Sequence, residues 1–165
     1  MVDSGSEPYQ ISPLPLCGVE VRGIDLKQDV DPTVVERIKT DVHKYRLMVF
    51  RDQGVVSGER QVEISRWFGE LDSPFYKHPR SPHFDVFRVS NDDAEGCTGV
   101  GRTGWHIDGS FRECPYSHSI YHIISVPKEG DTGGSLSLTS VEKIKLLFYT
   151  HLYSNSSRIP HSRFF

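Results

Sequence analysis

At 165 residues, 36% hydrophobic and 25% charged, the chain has the content of one globular domain with a real core rather than of a disordered segment. A net charge of −3, with histidine neutral, supplies neither a basic footprint for nucleic acid nor a polybasic patch for a membrane surface. The 3 cysteines, Cys17, Cys97 and Cys114, lie far apart with no CxxC pair, which argues against a disulfide framework and a thiolate zinc site.

Residues 1–15, which carry Ser, Gly and 3 prolines, are expected to form a mobile lead-in. They lack the basic start and apolar run of a signal peptide, and no later stretch approaches a membrane span. A cytoplasmic protein is expected. Leu16 to Val21 is a candidate strand ended by Arg22-Gly23. Asp31-Pro32 is a helix start, since Asp caps and proline suits the first helical position. Val34, Val35, Ile38, Val42 and Tyr45 follow at helical spacing, so the pattern predicts a helix over about 32–45. Leu47 to Phe50 is continuously apolar and reads as a buried strand. After a turn at Arg51 to Gly54, Ser57 is placed to cap a second helix reaching about Gly69. Val62, Ile64, Trp67 and Phe68 would form its apolar face, and Glu59, Arg60 and Glu63 a solvated one.

Beyond it, Asp72 to Pro82 reads as a proline-rich loop, Phe84 to Ser90 alternates like a strand, and Asn91 to Gly104 is a glycine-rich loop. Trp105 to Phe111 is expected to return to extended structure. His118 to Val126, bounded by Pro115 and Pro127, is the strongest strand signal. A turn over Lys128 to Asp131 and a helix over about 140–149 precede an aperiodic end. Early helices and later strands point to an α+β fold.

The sharpest motif is Trp105-His106-Ile107-Asp108-Gly109-Ser110-Phe111. On a strand, residues two apart share a face, so His106 and Asp108 would aim an imidazole nitrogen and a carboxylate oxygen at one point. With a remote histidine, such a pair makes the 2-His-1-carboxylate triad of non-haem iron(II) oxygenases, which leaves coordination positions open. The HxD spacing alone is weak, because chance supplies it and His83-Phe84-Asp85 repeats it. Context favours His106, which follows the glycine-rich loop beside a tryptophan.

The segment Trp105 to Phe111 resembles the WHxDxxF motif of the taurine dioxygenase (TauD/TfdA-like) family. Gly18 to Leu26 resembles that family's GxxxxGxDL opening, and Leu47 to Gln53 its strand ending in FRDQ. Phe68-Gly69-Glu70-Leu71 resembles its FGEL helix end, and Pro127 with Gly130-Asp131-Thr132 its P…GDT turn. Five segments in order are far more specific than HxD. The resemblance implies a partial double-stranded β-helix, or jelly roll, with N-terminal helices. It implies an Fe(II)- and 2-oxoglutarate-dependent dioxygenase that hydroxylates a small-molecule substrate with O2. Carried over by position, His106 and Asp108 would be metal ligands, and Thr132 would donate its hydroxyl to the 2-oxoglutarate carboxylate.

On this resemblance, 16–132 is the N-terminal part of the family domain and 133–165 a divergent tail with one helix. The family also uses a distal histidine and a distal arginine, whose planar fork suits the far carboxylate of 2-oxoglutarate. Only 57 residues follow Asp108 (165 − 108), and His151 with Arg158 or Arg163 stands too close to fill those roles. A truncated chain is therefore expected. The alternative is a catalytically incomplete fragment acting as a non-enzymatic interaction partner. Unpaired sheet edges would invite self-association. His118 and His122 are read as core or rim histidines, and His78 as a loop residue.

Overall fold

The computed structural model describes residues 7–72, 76–100, 105–109 and 111–126. They belong to two units, one holding 7–54 with 125–126, the other 55–72, 76–100, 105–109 and 111–124.

In the first unit, strand β1 (Gln10–Pro13) pairs antiparallel with β2 (Val19–Arg22), Gln10 facing Arg22 and Pro13 facing Val19. Strand β3 (Met48–Phe50) pairs parallel with β2, Val19 facing Met48 and Val21 facing Phe50. The sheet order is β1-β2-β3. A parallel pair needs a crossover, and helix α1 (Pro32–Tyr45) supplies it. Asp31 caps α1 by accepting the Thr33 N–H at 2.8 Å, Pro32 opens it, and Arg46 ends it in a left-handed conformation.

Strand β2 alternates strictly, with Val19 and Val21 buried, as are Tyr9, Leu26 and Ile38 of the same unit. Glu20 is left on the other face, 2.7 Å from Arg22 Nε and 2.8 Å from Arg51 Nε. These hydrogen bonds, first from Arg51 and then from Arg22, hold its carboxyl below the usual range. Gly18 precedes β2 at φ 81°, and a Cβ there would meet Leu47 at 2.6 Å, so this glycine is dictated twice over. The two motif segments of this unit are tied by one side chain. Gln53 Oε1 accepts the Leu26 N–H at 2.8 Å, and its Nε2 donates to the Ile24 carbonyl at 2.9 Å.

Here the structure differs from expectation in three places. The stretch read as lead-in contains β1, because an edge strand tolerates Pro13 and Tyr9 anchors its start in the core. The strand expected over 16–21 begins only after the Gly18 turn. The apolar run at 47–50 forms β3, but half-buried, at the edge of the described sheet rather than inside it.

In the second unit, helix α2 (Gly58–Arg66) is capped by Ser57, whose Oγ accepts the Arg60 N–H at 3.2 Å. Val62 is its buried apolar side chain, and Val56, just before the cap, is buried too. The helix ends before Gly69, because Trp67, Phe68 and Gly69 donate to carbonyls three residues back and tighten the chain into a turn. Arg60, expected on a solvated face, is buried at 8% exposure. Its stem packs inward, its guanidinium stands 5.6 Å from the Trp67 ring centre, and Nη1 reaches Glu63 at 2.7 Å.

Among the described residues, none of the strands expected at 84–90, 105–111 and 118–126 forms. One bridge, Val89 with Cys97, is present. Local bonds compete at 83–86, where Val86 N–H donates to the His83 carbonyl at 3.1 Å. Along 120–124 the apolar side chains are exposed and no ladder partner lies beside them among the described residues. The turn at 128–131 and the helix at 140–149 lie outside the described residues. All three cysteines are free, and no described helix is long and apolar enough to cross a membrane.

Candidate metal centre

His106 and Asp108 sit in the second unit, on irregular chain that turns at Asp108-Gly109. The expected strand is absent, yet the two side chains meet, with Nε2 of His106 3.3 Å from Oδ1 of Asp108. The turn makes the pair. Gly109 has φ 73°, and Arg112 N–H donates to its carbonyl at 3.0 Å. Gly109 is buried, and a Cβ there would meet the Tyr116 ring at 2.8 Å. The Arg112 guanidinium lies 5.5 Å from the Tyr116 ring centre and its Nη1 is 2.7 Å from Asp72 Oδ2. An ion pair, a cation–π contact and a glycine thus brace the loop that presents Asp108.

The second carboxylate oxygen is also engaged, since Oδ2 of Asp108 accepts the hydroxyl of Tyr121. The Tyr121 pKa is pushed up to about 12, first by desolvation, then by the hydrogen bond to Asp108 and its charge. Sequence reasoning missed this residue. Tyr121 lies in the stretch read as a strand, and nothing in its spacing from Asp108 signals a contact across 13 residues.

The rival motif is closed on itself. Nδ1 of His83 accepts the Asp85 backbone N–H at 3.0 Å, while Asp85 Oδ2 stands 3.8 Å away. Asp85 instead lines an open concavity with Arg66, Gly69, Glu70 and Leu71. The His106 and Asp108 side chains are 33% and 43% exposed. His78 is a loop brace, with Nε2 at 3.0 Å from the Asp93 carbonyl and Nδ1 accepting the Arg80 N–H at 3.2 Å. His118 packs on Phe68, the ring centres 4.6 Å apart, and His122 Nε2 faces the Val56 N–H at 3.5 Å. Both are half-buried. Among the described residues, no group of three or more His, Cys, Asp or Glu gathers as a metal site. Thr132, His151, Arg158 and Arg163 lie outside them.

A family profile described as taurine catabolism dioxygenase TauD, TfdA family matches residues 10–144. An alpha-ketoglutarate-dependent sulfate ester dioxygenase of Pseudomonas putida is 28% identical over 113 residues, covering 68% of this chain and 36% of that protein. A pentalenolactone F synthase of Streptomyces arenae is 29% identical over 160 residues, covering 93% of this chain and 52% of that protein. A solved taurine dioxygenase from Burkholderia xenovorans shares 31% identity, covers 63% of this chain and 36% of that one, and superposes with a TM-score of 0.47. The chain matches about a third to a half of the length of these curated relatives.

Proposed function

The chain belongs to the taurine catabolism dioxygenase TauD/TfdA family, and from that premise we propose that it serves an Fe(II)- and 2-oxoglutarate-dependent oxidation of a small molecule, with O2 as co-substrate. His106 and Asp108 are two of the metal ligands in this reading. The observation that carries it is the approach of His106 Nε2 to Asp108 Oδ1 at 3.3 Å, inside the matched residues.

The donor set fits the ion. An imidazole nitrogen and a carboxylate oxygen are the donors that non-haem iron(II) takes in a facial triad. The 3.3 Å between His106 Nε2 and Asp108 Oδ1 would let both atoms reach one ion. When bound, iron and 2-oxoglutarate together supply oxidising chemistry, in which the oxo-acid loses CO2 to give succinate and the substrate gains an oxygen atom.

The protein's own part is positional. Ligation needs His106 neutral at Nε2 and Asp108 ionised. The braced turn at Gly109 holds the carboxylate toward the imidazole. Thr132, assigned from its GDT motif alone, donates its hydroxyl to a carboxylate of 2-oxoglutarate. The jelly roll belongs to this reading too. Its support is the family match, and the described residues contribute a mixed three-stranded sheet and two helices. One relative is named for a sulfate ester and another for making pentalenolactone F, so the substrate class goes no further than a small molecule.

The test is succinate formation from 2-oxoglutarate with Fe(II) and O2, across sulfonates, sulfate esters and lactones. Turnover that disappears in His106→Ala supports the reading; no succinate above the metal-free control with any of them counts against it.

A further inference from the structure

We propose that Tyr121 is a positioning residue for Asp108, holding its carboxylate in a one-oxygen mode of metal binding. The inference rests on the reading of His106 and Asp108 as ligands and adds the group that governs how one of them binds.

The carboxylate of Asp108 has its two oxygens in different surroundings. Oδ1 lies 3.3 Å from His106 Nε2, on the side where a metal would be shared. Oδ2 accepts the Tyr121 hydroxyl. A free carboxylate can chelate an ion through both oxygens. An O–H donated to one of them occupies a lone pair, draws charge toward that side and fixes rotation about the Cβ–Cγ bond. The other oxygen is then the one presented. This matters because a three-ligand site works only if the remaining positions stay open, and a chelating carboxylate would fill one of them. Partners that orient ligating carboxylates typically govern metal affinity by 10–100-fold.

Both groups lie in the same unit, 13 residues apart in the chain. The Gly109 turn fixes the Asp108 backbone from one side, and Tyr121 fixes the side chain from the other. Tyr121 is 67% exposed as a residue, so replacing its hydroxyl by hydrogen opens no cavity. A purely structural role would have the hydrogen bond only tie the 118–124 stretch to the loop. That role predicts a change in stability and none at the metal.

The experiment uses the full chain and Fe(II) alone, without oxygen. Fe(II) affinity is titrated for the wild type, His106→Ala and Tyr121→Phe, with circular dichroism checking that each is folded. Infrared spectra of protein carrying 13C-labelled aspartate report the separation of the two carboxylate stretches, which narrows when a carboxylate chelates. Expected is tight binding by the wild type, loss in His106→Ala, and binding about 10–100-fold weaker in Tyr121→Phe with a narrowed separation. Unchanged affinity and unchanged stretches in Tyr121→Phe, with His106→Ala still impaired, overturn the role of Tyr121 alone. A wild type that binds no Fe(II), or no more than His106→Ala does, overturns the ligand reading, and the role of Tyr121 with it.

Discussion

The Tyr9 hydroxyl donates a 2.6 Å hydrogen bond to Oδ2 of Asp41, joining the residue before β1 to the C-terminal half of α1 inside the first core. Tyr9 is 2% exposed and Asp41 9%. Arg37 completes the cluster, its Nε 3.5 Å from the same carboxylate oxygen. Tyr9→Phe leaves a buried acceptor short of a donor and is predicted to cost about 1–3 kcal/mol in denaturant unfolding. A loss under about 0.3 kcal/mol would show that the bond contributes nothing net.

The same pair sets an alkaline limit. Burial first, and then the hydrogen bond to Asp41, raise the Tyr9 pKa above its ordinary value of 10.0. The unfolded chain therefore gives up this proton more readily. The stabilisation is whole below about pH 10 and is lost as pH rises beyond it. Denaturation midpoints of the wild type should fall more steeply above pH 10 than those of Tyr9→Phe; parallel curves would count against the linkage.

Gln53 ties together two segments that lie far apart in the sequence. Gln53→Ala leaves the Leu26 N–H and the Ile24 carbonyl without this amide. A cost of about 1–3 kcal/mol is expected. Thermal unfolding measures it, and a midpoint equal to the wild type would remove the clamp from the account.

Gly109→Ala tests the turn beside the His106–Asp108 pair. Its φ of 73° disfavours any side chain, and the added Cβ would meet the Tyr116 ring at 2.8 Å. Expected is a local loss, with Fe(II) affinity reduced at least tenfold while circular dichroism changes little. An alanine variant that binds Fe(II) as the wild type does would show that the turn tolerates what its geometry forbids.

The elements legible in the sequence are those whose cause is local. Asp31-Pro32 and Ser57 announce helices because a cap needs only its own first turn. The Val19 and Val21 alternation is equally readable. The strands expected at 84–90 and 118–126 were not, because a strand exists only with a partner and alternation cannot say whether one is present. At the site, HxD was legible as a pair, but for an incomplete reason, since a turn rather than a strand face brings His106 to Asp108. Tyr121 and the Arg112–Asp72 brace were invisible, because each arises from chain closure that spacing does not encode.

The most direct test of the central claim is the visible charge-transfer band that an Fe(II) and 2-oxoglutarate chelate gives without oxygen. The wild type is predicted to develop the band on addition of both, and His106→Ala and Asp108→Ala to lose it. A wild type with no band, or a band that persists unchanged in both variants, would contradict the assignment of His106 and Asp108 as iron ligands.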